Sequence, residues 1–114
     1  PAEVKKYIYD PLCGWDASVS MWKDIFALVF SGAENDYLSA VPRALPFNLV
    51  GGAKDPATDG GKAVEALARR MRAMGFSNLV STVYADTRHE SLNEVNRGAI
   101  TADFVAWANG VVAG

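Results

Sequence analysis

The stretch LVSTVYADTRHE, residues 79–90, joins a strand to a polar loop. Its first six residues are rich in β-branched and aromatic types, a composition typical of a buried strand. The loop that follows carries His89, the single histidine of the chain. Because histidine is the side chain whose ordinary pKa lies nearest neutrality, acid–base chemistry by an imidazole is available to this chain only at His89.

A strand and a helix precede this stretch. Residues 47–50 are predicted to form a short strand that ends at two glycines, and residues 62–74 an amphipathic helix that ends at Gly75. Strand, helix and strand in this order predict a βαβ unit with parallel strands and a right-handed crossover. Functional groups gather at the carboxyl ends of such strands. Asp55, just after the first strand, is therefore expected to lie near His89.

Three aspartates compete to be the carboxylate that orients His89. Asp86 is in the same loop and is predicted to form a local turn. Asp59, like Thr58, is placed to cap the helix that follows. Asp55 has no comparable local task in the sequence, so we favour it as the partner. A surface histidine without a function remains the alternative.

The N-terminal part, residues 1–46, is predicted to contain helical and irregular segments. Residues 1–16 look irregular, with aromatic residues between turn signals. An amphipathic helix is predicted from Ser18, with Trp22 and Phe26 on its apolar stripe. Packing in the core is the favoured interpretation of that stripe, and the wall or lid of an acyl-chain pocket is the alternative. Residues 33–46 are predicted to be a connector with one short helical turn.

A last helix is predicted over residues 99–112, with Asp103 in its first turn, where the helix dipole favours a negative charge. Its apolar stripe is Ile100, Phe104, Trp107 and Val111. Residues at this spacing lie on one face of a helix.

Composition excludes several classes of protein. The chain has 114 residues, enough for one domain with its own core, and a net charge of −2, which gives no electrostatic basis for binding nucleic acid. One cysteine and one histidine offer neither an internal disulfide nor a usual zinc site, so no metal or cofactor is implied. No apolar run reaches the roughly 20 residues of a membrane span, and no signal peptide is recognisable. A cytoplasmic protein is expected.

The sequence shows no evident nucleophile to act with Asp55 and His89. No Gly-x-Ser-x-Gly motif, the turn that presents a catalytic serine in many hydrolases, occurs in the sequence. Cys13 lies in an aromatic-rich loop with no strand before it and is a poor candidate. The sequence therefore offers a base and an orienting acid without a group to attack a substrate.

Six short motifs occur in order along the second half of the chain. They are LPFNLVGGAKDP (45–56), GGK (60–62), Tyr84, RHE (88–90), NE (93–94) and DFVAW (103–107). Together they resemble the C-terminal third of α/β-hydrolases, in the serine-hydrolase branch with monoacylglycerol lipases and lysophospholipases. The resemblance implies an α/β fold in which residues 46–114 are the last part of the hydrolase core. Residues 1–45 would be the end of a helical cap.

The resemblance also implies a function. In this family the triad runs serine, acid, histidine, so Asp55 becomes the acid and His89 the base. Trp22 and Phe26 would contact the acyl chain of a lipid-like carboxylic ester. The serine is expected in an N-terminal portion of the same hydrolase or in a second chain, with this chain a cleaved, split or trimmed piece. An inactive fragment or interaction module is the alternative.

The predicted sheet is too small to stand alone. Parallel sheets are normally covered on both faces and rarely consist of two strands alone. The strand at residues 47–50 would also leave one edge open to pairing. Both points lead us to expect an additional segment against this edge.

Overall fold

The computed structural model describes residues 2–32 and 34–114. In chain order they form α1 (Ala2–Tyr9), α2 (Val19–Gly32), α3 (Asn35–Ser39), β1 (Phe47–Gly52), a 3-10 turn (Pro56–Thr58), α4 (Lys62–Ala73), β2 (Leu79–Tyr84) and α5 (Arg97–Ala113). The chain divides into two compact units, Pro1–Ala40 and Val41–Gly114. The described part is of the mixed α/β class, with a two-stranded parallel sheet and flanking helices.

The sheet of the second unit is parallel, as the strand–helix–strand order predicts. Phe47 lies opposite Leu79 at one end of the pair, and Gly52 lies opposite Tyr84 at the other. The predicted strand at 47–50 is therefore too short, because both glycines that follow it belong to β1. A side chain at Gly52 would overlap the carbonyl oxygens of Thr87 and Arg88, so glycine allows the loop after β2 to cross the end of β1.

Helix α4 packs against one face of this sheet, and a hydrogen bond links the other face to α5. Gly51 of β1 lies against Val64 of α4, and Val83 of β2 lies against Gly61 at the start of α4. Tyr84 points to the opposite face because neighbouring side chains alternate along a strand. Its hydroxyl donates a hydrogen bond to Asp103 of α5, with an O···O distance of 2.8 Å. The buried apolar side chains are Ala68, Met71, Phe76 and Ile100.

Two details of the helix ends differ from the sequence predictions. The residue before α4 is Gly61, with φ +86°, and no side chain caps the helix, so neither Thr58 nor Asp59 is its cap. The Thr58 hydroxyl donates to Asp55 and accepts the Gly61 N–H at 3.3 Å, and Asp59 accepts a hydrogen bond from Lys62. Helix α5 begins at Arg97, earlier than predicted. Asp103, which was predicted for the first turn, therefore lies beyond that turn. Gly75, with φ +93°, follows α4 as predicted.

The first unit contains a helix where an irregular segment was predicted. Helix α1, Ala2–Tyr9, has Glu3 and Lys6 paired across one turn at 3.1 Å, and Pro11 follows its end. Two of the aromatic residues of this segment, Tyr7 and Tyr9, lie exposed on the helix. The predicted helix from Ser18 is present as α2, and the Ser18 hydroxyl accepts a hydrogen bond from the Met21 N–H at 3.1 Å, the expected N-cap contact.

The apolar stripe of α2 is not packed in a core, contrary to the favoured interpretation. No residue of α2 is buried. Its aromatic rings stack along the helix instead, with centroids 5.9 Å apart for Trp22 and Phe26 and 6.3 Å apart for Phe26 and Phe30. The other helices of this unit are short, and they offer too little surface to cover the stripe. Across residues 2–32 and 34–114, no helix is both long and apolar enough to cross a membrane.

Candidate active site

Asp55 and His89 meet at the edge of the sheet where both strands end. Nδ1 of the imidazole lies 3.2 Å from each carboxylate oxygen of Asp55. The two residues are 34 positions apart in sequence, and the parallel register brings them together because Asp55 follows β1 and His89 follows β2. This is the geometry that a βαβ unit imposes on residues just beyond its strand ends.

Asp55 is held rigidly by its own loop. Its Oδ1 accepts a hydrogen bond from the Ala57 N–H at 2.9 Å, and its Oδ2 accepts one from the Thr58 hydroxyl at 2.8 Å. The residue is 2% exposed and caps the 3-10 turn that starts at Pro56. The prediction that Asp55 has no local task is therefore wrong. The cap fixes the carboxylate plane, and the same two oxygens remain available to His89.

Hydrogen bonding decides the charge of this carboxylate. Burial raises the pKa of Asp55, but hydrogen bonds from Thr58, His89 and Ala57 together outweigh it, and the pKa lies below the ordinary 3.8. Asp55 is therefore ionised near neutral pH and can only accept hydrogen bonds. Since a carboxylate cannot donate, the proton of this contact resides on Nδ1 of His89, and Nε2 is left with its lone pair when the ring is neutral.

The imidazole is open on its far side. The His89 side chain is 68% exposed, and no hydrogen bond from the described residues reaches Nε2. Ser91, two residues further on, does not contact the ring through a hydrogen bond. An accepting nitrogen that faces outward is suited to take a proton from a group brought to it.

The lowered pKa of Asp55 predicts how stability depends on pH. Because the folded pKa lies below the ordinary value of 3.8, ionised Asp55 stabilises the fold above that pH. This contribution is lost as the pH falls through the folded pKa. Urea unfolding measures this loss. The urea midpoint of the wild-type chain should exceed that of Asp55→Asn near neutral pH, and the difference between the two midpoints should become smaller below pH 3.8. A difference that stayed constant from neutral pH through this range would contradict the assignment.

The two other aspartates that the sequence offered do not contact His89. Asp86 lies in the turn that follows β2, and its carboxylate forms an ion pair with Lys54 at 2.8 Å. The hydrogen bond from Lys54 lowers the pKa of Asp86. Asp59 pairs with Lys62 at 3.0 Å. Both ion pairs are exposed, so each is worth little to stability. Asp55 is thus the carboxylate that lies beside the imidazole.

The sequence predicts no contact with the Asp55–His89 dyad for several polar residues that surround it. The spacing of Thr58 from Asp55, which places a hydroxyl three residues after a capping carboxylate, is a local signal that was available. Thr87 and Asn96 bond to each other across nine positions, and Glu94 accepts the Arg88 N–H at 3.2 Å. These last contacts depend on the path of the loop, for which no short-range pattern exists.

The residues predicted to contact substrate lie in the first unit. Trp22 and Phe26 are on α2 and are 50% and 52% exposed. Their rings form a continuous apolar surface with an interplanar angle of 28°. Their role beside an acyl chain stays a prediction, since the dyad belongs to the second unit.

A groove of about 410 Å³ lies in the second unit beside the loop that follows His89. It is lined by Asn48, Val50, Glu90, Ser91, Leu92, Asn93, Ile100 and Phe104. The groove therefore runs along β1 and under α5. Within the described residues, no three His, Cys, Asp or Glu side chains are grouped to hold a metal ion.

Comparisons with protein-family models, with curated proteins and with solved structures each found no match for this chain. The dyad and its surroundings are therefore the basis for assigning a function.

Proposed function

We propose that this chain supplies the acid and the base of a Ser–His–Asp carboxylic-ester hydrolase whose serine lies outside these residues. The observation that carries the proposal is the contact of His89 Nδ1 with both oxygens of the buried Asp55 carboxylate, with Nε2 facing outward. An acid that fixes the tautomer and stabilises the imidazolium is the arrangement by which such triads activate a hydroxyl.

The proposed reaction uses Nε2 of His89 twice. It accepts the hydroxyl proton as the serine Oγ attacks the ester carbonyl carbon, and Asp55 stabilises the imidazolium that forms. The tetrahedral intermediate then breaks its bond to the alkoxide, which takes that proton from Nε2 and leaves as the alcohol. Water enters and is deprotonated by the same nitrogen, and its oxygen attacks the acyl-serine. The second tetrahedral intermediate breaks its bond to Oγ, which takes that proton from Nε2, so release of the carboxylic acid restores the serine hydroxyl and the neutral imidazole.

The segment that completes the site is proposed to be an N-terminal portion of the same hydrolase or a second chain. Among the described residues, β1 pairs with β2 alone, so the N–H and C=O groups of its other edge have no strand partner. An open edge of this kind is a template for another strand. In this proposal, residues 46–114 are the last part of an α/β-hydrolase core and residues 1–45 the end of its cap.

The proposed substrate is a lipid-like carboxylic ester, such as a monoacylglycerol or a lysophospholipid. The stacked rings of Trp22 and Phe26 support this substrate class, because a continuous exposed apolar surface is complementary to an acyl chain. The family resemblance of the motifs suggests the same substrate class.

A fluorophosphonate probe tests the proposed function. The chain should be expressed in continuity with its upstream sequence, in which we expect a Gly-x-Ser-x-Gly motif about 100–150 residues before Asp55, a spacing set by the size of one α/β domain. The joined protein should be labelled at that serine, and residues 1–114 alone should not be. Absence of labelling in every preparation, or a folded monomer of this chain that hydrolyses esters without a second segment, would overturn the proposal.

A further inference from the structure

Thr87 is a polar residue with no exposed surface, two positions before His89. Its hydroxyl accepts a hydrogen bond from Asn96 Nδ2 at 2.9 Å and lies 3.2 Å from Asn96 Oδ1. Asn96 is the residue immediately before α5. The buried hydroxyl therefore joins the loop that carries His89 to the start of the last helix.

The backbone of Thr87 makes two further connections. Its N–H donates to the Tyr84 carbonyl at 3.3 Å, at the end of β2, and its carbonyl accepts the Lys54 N–H at 2.9 Å. Lys54 is the residue directly before Asp55. Thr87 is thus bonded to the end of β2, to the segment that carries the acid and to the start of α5. The closeness of its carbonyl to Gly52 leaves the loop little room to shift toward the sheet.

The imidazole itself has few constraints. It is mostly exposed, and its hydrogen bonds to Asp55 are long, at 3.2 Å. The position of the ring therefore depends mainly on the position of the loop backbone at His89. That backbone is fixed at Thr87 and, more weakly, at Arg88, whose N–H donates to Glu94 at the surface.

We propose that Thr87 and Asn96 are positioning residues that hold His89 Nδ1 within hydrogen-bond reach of Asp55. The inference rests on the proposed function, in which this imidazole is the general base. The hydrogen bond between the Thr87 hydroxyl and Asn96 holds the loop at the start of α5. The hydrogen bond from the Lys54 N–H to the Thr87 carbonyl holds it beside the segment before Asp55. Without the hydroxyl, the loop can pivot about the Lys54 hydrogen bond, and the imidazole moves away from the carboxylate.

The test is an NMR measurement on the full chain, in which His89 gives the only imidazole signals. In wild type, the Nδ1–H proton should be visible and protected from water, and Asp55→Asn should remove it. Thr87→Val, which keeps the volume and removes the hydroxyl, should speed its exchange with water about tenfold, the factor that corresponds to one hydrogen bond of ordinary net strength. Thr87→Ser should restore protection, and the amide signals of β1 and β2 should be unchanged throughout.

The outcomes separate this inference from the proposed function. If wild type shows no Nδ1–H signal that depends on Asp55, the dyad and the proposed function fail. If wild type shows it and Thr87→Val retains full protection, the positioning role is wrong and the dyad stands. If Thr87→Val does not fold, Asn96→Ala, which removes the same bond from the other side, decides the question. Unfolding of both variants would show a role in stability alone and overturn the inference.

Discussion

If the proposed function holds, replacing His89 by alanine is expected to lower kcat about 10⁶-fold in the proposed hydrolase that includes the serine-bearing segment, the loss typical of removing the base of a catalytic triad. The structure gives the reason. The Asp55 carboxylate is oriented toward Nδ1 of His89, and no other histidine exists in the chain to take its place. Without the imidazole, the serine hydroxyl keeps its proton and attacks an ester no better than water does. Hydrolysis of a chromogenic acyl ester measures the change.

A matched control and a rescue make this result specific. Arg88→Ala is the control because it removes the side chain next to His89. The backbone N–H of residue 88 can still donate to Glu94, so kcat should stay within a few-fold of wild type. Added imidazole should restore part of the activity of His89→Ala, because the missing side chain was 68% exposed and its site is open to a small molecule. Full activity in His89→Ala, or an equal loss in Arg88→Ala, would contradict a role as general base.

The dyad was within reach of sequence reasoning because topology alone sets it. Strand-like composition and a helix with a 3.6-residue period identify β1, α4 and β2, and the order of these elements requires the carboxyl ends of the two strands to lie at the same edge of the sheet. The choice of Asp55 over Asp86 was also correct as to which carboxylate lies beside the ring. Rules of this kind succeed because they depend on the backbone, whose options are few.

Other features depended on contacts that a sequence pattern does not specify. The stripe of α2 has the spacing of a core-facing helix, but burial needs a surface to pack against, and the first unit does not provide one. Asp55 caps the 3-10 turn and contacts His89 at the same time, because each carboxylate oxygen can accept more than one hydrogen bond. Thr87 and Asn96 meet only because the loop after β2 turns back over Gly52.

Asp55→Asn is expected to lower kcat about 10⁴-fold, the loss associated with the wrong tautomer of a triad histidine. The amide oxygen of asparagine should accept the Ala57 N–H, because this backbone donor cannot be reversed. The Thr58 hydroxyl can rotate to accept, so the amide nitrogen takes the position of Oδ2. It then donates to Nδ1 of His89, which moves the imidazole proton to Nε2. A nitrogen that carries a proton cannot accept one from a serine, so kcat falls while KM stays near its wild-type value.

Asp59→Asn is the matched control for this prediction. It removes the same charge four residues further along, and asparagine tolerates the left-handed conformation found there, with φ +50°. Only an exposed ion pair with Lys62 is lost, so kcat should change by less than about twofold. If Asp55→Asn lowered kcat less than about tenfold, the carboxylate would act as a cap of the 3-10 turn and not through the tautomer of His89. Nitrogen chemical shifts of the single imidazole decide directly, since the proton should lie on Nδ1 in wild type and on Nε2 in the variant.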